Sequence, residues 1–143
     1  MRIAVLTSSR ADFGIYLPLL NHLESDEFFN LEVVAFGTHL SKEHGFTITE
    51  IEKSNFKKIH KIKTPVSNHN PFDIAKNIGE IISTFADFWS KNKYDYIFAL
   101  GDRYEIFAAV TATTPFVCKV AHLHAGETTL GAIDNVYRHA ISL

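Results

Sequence analysis

The sequence predicts an α/β fold, a parallel sheet with helices on both faces, and three observations carry that prediction. Short apolar runs such as RIAVL, LEVVAF and YDYIFAL alternate with segments whose apolar residues recur at helical spacing. The runs are apolar at nearly every position, as in strands buried on both faces. Each strand-like run exits into a polar or glycine-containing loop, and strand–helix–strand units of this kind close with right-handed crossovers.

Arg2–Leu6 is expected as the first strand, entering a loop at Thr7–Arg10. Asp12 is placed to cap a helix beginning near Phe13, with Ile15, Leu19, Leu20 and Leu23 repeating at helical spacing. Pro18 then falls in its first turn or two, where it is tolerated. Leu31–Phe36 is the second strand, closed by Gly37. Phe46–Ser54 reads as a short helix with Phe46 or Thr47, Ile48 and Ile51 inward. Phe56–Ile62 alternates and suggests a third strand nearer the sheet edge.

Thr64–Pro71, with its prolines and asparagines, is the most loop-like segment. A long helix over Phe72–Lys91 places Ile74, Ile78, Ile81, Ile82, Phe85 and Phe88 on one face. Tyr94–Leu100 is the fourth strand, Tyr104–Thr113 a helix of small residues ended by Pro115, and Val117–Leu123 the fifth strand. A final helix starts near Asp134. The chain stops at Ile141–Leu143 inside that helix with no capping glycine, which predicts a piece of a longer protein.

The 143 residues allow one domain with a proper core, and 46% apolar with 21% charged residues is ordinary for a soluble globular chain. A net charge of −2 provides no general basic face, so neither nucleic acid nor a membrane surface is an expected partner. The single cysteine, Cys118, cannot form an internal disulfide, and MRIAVLTSSR turns polar too soon for a signal peptide. A cytoplasmic protein is expected. The twelve phenylalanines are spread at core-like spacing and are read as interior filling.

In a parallel sheet the strand exits share one edge, where ligands bind. SSRADFG, GDR and HLHAGE therefore converge. The first leads into a helix N-terminus that favours an anion, and Arg10 adds a planar fork suited to phosphate. No G-x-G-x-x-G or Walker loop occurs, and no cofactor is expected. Asp102 has two readings, a cap for the helix at Tyr104 or an acid–base group; Arg103 either neutralises Asp102 or Glu105, or faces a ligand.

His122 and His124 alternate along the fifth strand, so they are expected on the same side. Gly126 and Gly131 let the following loop fold back. His, His and Glu127 together suggest a metal, but their spacing matches no familiar ligand pattern, and acid–base chemistry near neutral pH is favoured. Asp134 and Arg138, four apart on a helix, read most simply as an intrahelical ion pair. His22, His44, His60 and His69 are taken as surface or loop residues. His39, just past the second strand, is the exception and joins the candidate site.

SSRADFG, GDRYEIF, HLHAGE and IDNVYRHAI together resemble, in order and spacing, the N-terminal domain of UDP-N-acetylglucosamine 2-epimerases, most closely the bacterial hydrolysing branch. The resemblance covers essentially the whole chain. It implies a Rossmann-like three-layer sheet, the first domain of a glycosyltransferase-B architecture whose nucleotide-gripping second domain is absent. It further implies elimination of UDP from UDP-GlcNAc through 2-acetamidoglucal, then hydration to N-acetylmannosamine, in sialic-acid-type biosynthesis. By this resemblance Asp102, Glu127 and Asp134 share acid–base work with His124 assisting. Arg10, the Ala11 backbone, Arg103 and Arg138 match the family's phosphate and substrate contacts, and His122 and His39, at strand exits, are expected to join them. Bacterial hydrolysing members read His-x-His-Gly-Gly-Glu, and Ala125 here replaces the first glycine, a mild change if its φ is negative. A homo-oligomer, dimer or tetramer, is implied for the full-length protein, and little activity for these residues alone. Two alternatives stay open: the same reaction on UDP-2,4-diacetamido-2,4,6-trideoxyglucose, and a nucleotide-binding module without catalysis.

Overall fold

The computed structural model describes residues 1–66, 70–128 and 130–143. Its five strands are β1 (Arg2–Thr7), β2 (Asn30–Ala35), β3 (Ile59–Lys61), β4 (Tyr96–Leu100) and β5 (Val120–Leu123). Its α-helices are α1 (Arg10–Ser25), α2 (Ile48–Lys53), α3 (Pro71–Lys91), α4 (Tyr104–Thr111) and α5 (Asp134–Ser142). All strand pairs are parallel, in the order β3-β2-β1-β4-β5, with Val5 opposite Val33 on one side and Phe98 on the other. This is the expected Rossmann-like sheet. The order reverses between β1 and β4, so the crevice for a ligand opens beyond their carboxyl ends.

Strand alternation divides the core in two. Ile3, Val5, Leu31 and Val33 face α1 and α2, meeting Phe13, Tyr16, Leu20, Ile48 and Ile51. Ala4, Leu6, Val34, Ile97 and Ala99 face α3, α4 and α5, meeting Ile81, Phe85, Trp89, Ile106 and Ile141. Trp89 is buried there and its indole N–H donates to the Ala109 carbonyl at 3.0 Å, as a buried indole requires. Ala108 and Ala109 of α4 are fully buried against this face of the sheet, as the small residues of that helix predicted.

Several boundaries differ from expectation, each for a local reason. Helix α1 begins at Arg10, not Phe13, because Ser9 is its N-cap and Asp12 the reciprocal member of a capping box. Pro18 therefore lies well inside the helix. Phe46 adopts φ +48 and is exposed, so α2 starts later, while Ile48 and Ile51 point inward as expected. β3 is only Ile59–Lys61, since Phe56 turns away to pack edge-on to Phe13. Pro115 starts a 3-10 turn ending at Val117 with φ +54, which delays β5 to Val120. Part of the predicted 64–71 loop, including His69, lies outside the described residues.

His60 is not a plain surface residue. It joins Arg2, Lys58 and Tyr94 around the buried carboxylate of Glu32, at 2.7 Å from Glu32 Oε2. Burial pushes this carboxyl up, but the four donors outweigh it and hold it well below the usual carboxylate range.

Candidate functional site

The β1–α1 turn is built around Asp12. Its buried carboxylate accepts from the Ser8 amide at 3.0 Å, the Ser9 amide at 3.1 Å, the Ser8 hydroxyl at 3.1 Å, and the Thr7 hydroxyl. Ser9 returns a bond to the Asp12 amide at 3.4 Å. Two amides at the helix N-terminus, those of Arg10 and Ala11, have no partner among the described residues. They are what the turn offers an anion. Asp12 already places one negative charge there, so a bound phosphate also needs cations nearby. Arg10 is one, with its side chain 72% exposed and its Nε 3.2 Å from Glu50 Oε2. Arg103 is the other.

At the β4 exit Gly101 takes φ +77, which turns the chain so that Asp102 and Arg103 face different neighbours. Asp102 is not a cap: the N-cap of α4 is Arg103, with no side-chain cap bond. Arg103 Nη2 lies 2.8 Å from Oε1 of Glu105, whose carboxylate is 1% exposed. Burial lowers the Arg103 pKa, and the charge and hydrogen bond of Glu105, with Asp12 and Tyr104, together outweigh it and leave it raised. Glu105 Oε2 is buried without a hydrogen-bond partner.

At the β5 exit the alternation stops at Leu123. His124 has φ +58 and belongs to the turn, so the same-side expectation for His122 and His124 does not follow from a shared strand. His122 bridges the Gly101 carbonyl and the Ser142 hydroxyl, each at 2.7 Å, tying the β4 exit to α5. His124 Nδ1 sits 2.7 Å from Glu127 Oε1. Ala125 is not among the positive-φ residues, so it stands in the glycine position without strain. Gly126 likewise has no positive φ and open space at its Cβ, while Gly131 at φ +75 supplies the fold-back.

Arg138 joins these exits. It is 5% exposed, donates to the His124 carbonyl at 3.0 Å, bonds the Asp102 carboxylate, and lies 3.7 Å from Glu127 Oε2. The simple intrahelical pairing with Asp134 is not formed among the described residues; Asp134 is exposed at the first turn of α5. His39 is brought under the site rather than into it. It is 0% exposed, with its ring nitrogens 2.8 Å from the Thr7 and Thr47 hydroxyls.

Three cavities that share lining residues run along this edge. A cleft of about 520 Å³ is lined by Arg10, Ala11, Ile74, Arg103, Tyr104 and Glu105 among others. A smaller one of about 130 Å³ lies between Ser9, Ala11, Asp102 and Arg103. A mainly apolar one of about 310 Å³ sits between α3 and α5, lined by Ile74, Ile78, Tyr104, Ile133, Asp134 and Tyr137. Ser9, Ala11 and Arg103 join the first two; Ile74 and Tyr104 join the first and third. No group of three or more His, Cys, Asp or Glu among the described residues could hold a metal. Tyr104 and Ile74 were not read as site residues from sequence, and Glu105 was named only as one possible partner of Arg103, the pairing that forms.

Such a chain is an α/β domain presenting paired carboxylates, arginines and free helix amides at one sheet edge, equipment for an anionic substrate and proton transfer. It belongs to the UDP-N-acetylglucosamine 2-epimerase family, whose model matches residues 21–143. It is 35% identical to the GDP/UDP-N,N'-diacetylbacillosamine 2-epimerase (hydrolyzing) of Campylobacter jejuni, across 99% of this chain and 36% of that protein. It is 34% identical to polysialic acid biosynthesis protein P7 of Escherichia coli over the same shares. The chain thus spans little more than a third of these relatives. The fold matches the crystal structure of UDP-GlcNAc 2-epimerase from Neisseria meningitidis bound to UDP-GlcNAc with a TM-score of 0.80, at 19% identity, covering 99% of this chain and 38% of that one. Among the described residues no helix is long and apolar enough to cross a membrane.

Proposed function

We propose that this chain is the N-terminal domain of a hydrolysing 2-epimerase acting on a UDP-linked 2-acetamido sugar. The observation that carries the proposal is the meeting of Asp102, His124, Glu127 and Arg138, with Asp102 sharing a small crevice with Ala11 at the helix N-terminus. In the proposed reaction a carboxylate takes the C2 proton, the C1–O bond breaks, UDP departs, and a C1=C2 double bond forms. Water then adds its hydroxyl to C1, and C2 receives a proton on the opposite face. Asp102 is proposed as the C2 base, because it shares the small crevice with Ala11 and Arg103 and is aimed by Arg138. The hydrogen-bonded pair His124–Glu127 suits proton handling at the leaving oxygen and the incoming water. Asp134 stands at the rim of the apolar cavity as a third carboxylate.

Arg10, Arg103 and the two amides hold the pyrophosphate in this reading, and Arg138 orients the carboxylates. His122 acts on substrate through the Gly101 carbonyl it fixes. A second domain closes the cleft and grips the nucleotide. The protein is proposed to work in the cytoplasm as a homo-oligomer, without a cofactor, on a route to a sialic-acid-type sugar.

A specific observation favours a second sugar. Relatives from Campylobacter jejuni and Legionella pneumophila, at 35% and 33% identity, are named as hydrolysing diacetylbacillosamine 2-epimerases. The apolar cavity beside Asp134 also suits the second acetamido group and C6 methyl of a 2,4-diacetamido-2,4,6-trideoxy sugar better than free hydroxyls. Turnover of UDP-GlcNAc and of that nucleotide by the full-length protein, followed by release of UDP and free sugar, separates the two. Release of neither free sugar refutes the hydrolysing assignment.

A further inference from the structure

Beneath the anion-binding turn runs a buried chain of side-chain hydrogen bonds that the proposed chemistry does not use. Thr47 Oγ1 is 2.8 Å from His39 Nδ1, His39 Nε2 is 2.8 Å from Thr7 Oγ1, and Thr7 Oγ1 bonds the Asp12 carboxylate. The direction of each bond follows from donor inventory. Asp12 accepts from the Ser8 and Ser9 amides and acts as an acceptor throughout, so the single Thr7 hydroxyl proton goes to it. The other acceptor near that hydroxyl, the Ser9 carbonyl, is farther at 3.4 Å. Thr7 Oγ1 then accepts from the imidazole, which puts the ring proton on Nε2, and the Ser9 carbonyl is a second acceptor for the ring. Nδ1 keeps its lone pair and accepts from the Thr47 hydroxyl.

The charged groups facing this ring are Asp12 on α1, whose carboxylate is 4.0 Å away, Glu50 on α2, and Arg103 at the start of α4. Burial pushes the imidazole pKa down, and Asp12 and Glu50 pull it up by less. Phe13 closes one side edge-on, with ring centroids 6.2 Å apart.

We propose that His39 is a positioning residue, a ring protonated at Nε2 that holds Asp12 through Thr7 and so fixes which amides of the β1–α1 turn stay free for a phosphate. The functional half of this inference rests on the phosphate role proposed for Arg10 and Ala11. If Asp12 swings away, the Ser8 and Ser9 amides are released and the turn no longer presents only the next two. The segment carrying Thr47 also carries Glu50, which bonds the Arg10 side chain, so one short helix steadies both the backbone and the side-chain parts of the site.

Two readouts on the full-length protein test this separately. Nitrogen-15 NMR of the histidine rings at about pH 7.5 is expected to show His39 as the Nε2–H tautomer. An Nδ1–H ring overturns the relay whatever the substrate proves to be. UDP affinity reads the functional half. His39→Gln keeps a donor near the Nε2 position and should stay within about threefold of wild type, while His39→Leu should weaken UDP binding about tenfold with kcat held within about twofold. Equal losses in both variants, or a loss of kcat without a change in UDP affinity, overturn the positioning role. Wild-type protein that does not bind UDP refutes the phosphate role itself. Thr47→Val keeps the local shape and removes only the Nδ1 donor. It should lower UDP affinity about threefold and alter the ring signals, and unchanged signals contradict the relay.

Discussion

The guanidinium of Arg138, on the last helix, is bonded to the carboxylate of Asp102, which lies 36 residues earlier at the exit of β4. The same side chain reaches the His124 carbonyl and the edge of Glu127. Three candidate acid–base residues on two strand exits thus share one nearly buried cation. Their mutual placement depends on it.

Lysine keeps the charge of Arg138 but loses its planar fork, and cannot serve these partners together. Arg138→Lys in the full-length protein is expected to lower kcat about a hundredfold, with UDP affinity changed by less than about threefold. Steady-state kinetics and a UDP titration check it; kcat near wild type contradicts the role.

Among the described residues Arg103 is the one hydrogen-bond partner of the Glu105 carboxylate, whose other oxygen is buried without one. Arg103→Met is therefore expected to cost about 3 kcal/mol of stability by stranding a buried charge. The double variant with Glu105→Gln should recover part of that loss in denaturant unfolding.

Gly37 follows β2 with φ +61, and a Cβ there would meet the Ser8 carbonyl oxygen at 2.8 Å. That contact is backbone to backbone and cannot yield cheaply. Gly37→Ala should destabilise the domain by about 1–3 kcal/mol and weaken UDP binding, because Ser8 belongs to the turn proposed to hold phosphate. Thermal unfolding and a UDP titration report both effects.

Glu32 sets an acid limit. Its folded-state pKa lies below the ordinary value of 4.5, so its stabilising contribution is complete above that pH and is lost as pH falls towards the folded value. Stability should drop below about pH 4.5, and Glu32→Gln should be about 2–4 kcal/mol less stable at neutral pH, with a shallower acid slope. Denaturant midpoints across pH measure both.

Much of this arrangement was legible in the sequence. Apolar runs, helical spacing and the polar residues at strand exits predicted the sheet, its helices and the converging loops. The capping box was also visible, as Ser9 and Asp12 three apart, yet Asp12 alone was read as the cap and the helix start fell three residues late. The pairing of Arg103 with Glu105 was among those the sequence offered, but the long-range partner of Arg138 stayed hidden. Spacing gave Asp134 as the neighbour of Arg138, whereas tertiary packing gave Asp102, a contact that no local pattern encodes. Glu32 and Glu105 are single acids inside apolar segments, and periodicity treats them as noise although burial makes them the centres of ion pairs. His39 was flagged for its position after β2, but only the fold reveals that it lies beneath the site.

The most direct test of the account is deuterium incorporation. The full-length protein, turning over its UDP-linked 2-acetamido sugar in deuterated water, should release a free C2-inverted sugar carrying deuterium at C2. Asp102→Asn should slow that release by about a thousandfold. A free sugar without deuterium at C2, or an Asp102→Asn enzyme that works at the wild-type rate, would contradict the proposed elimination with Asp102 as its base.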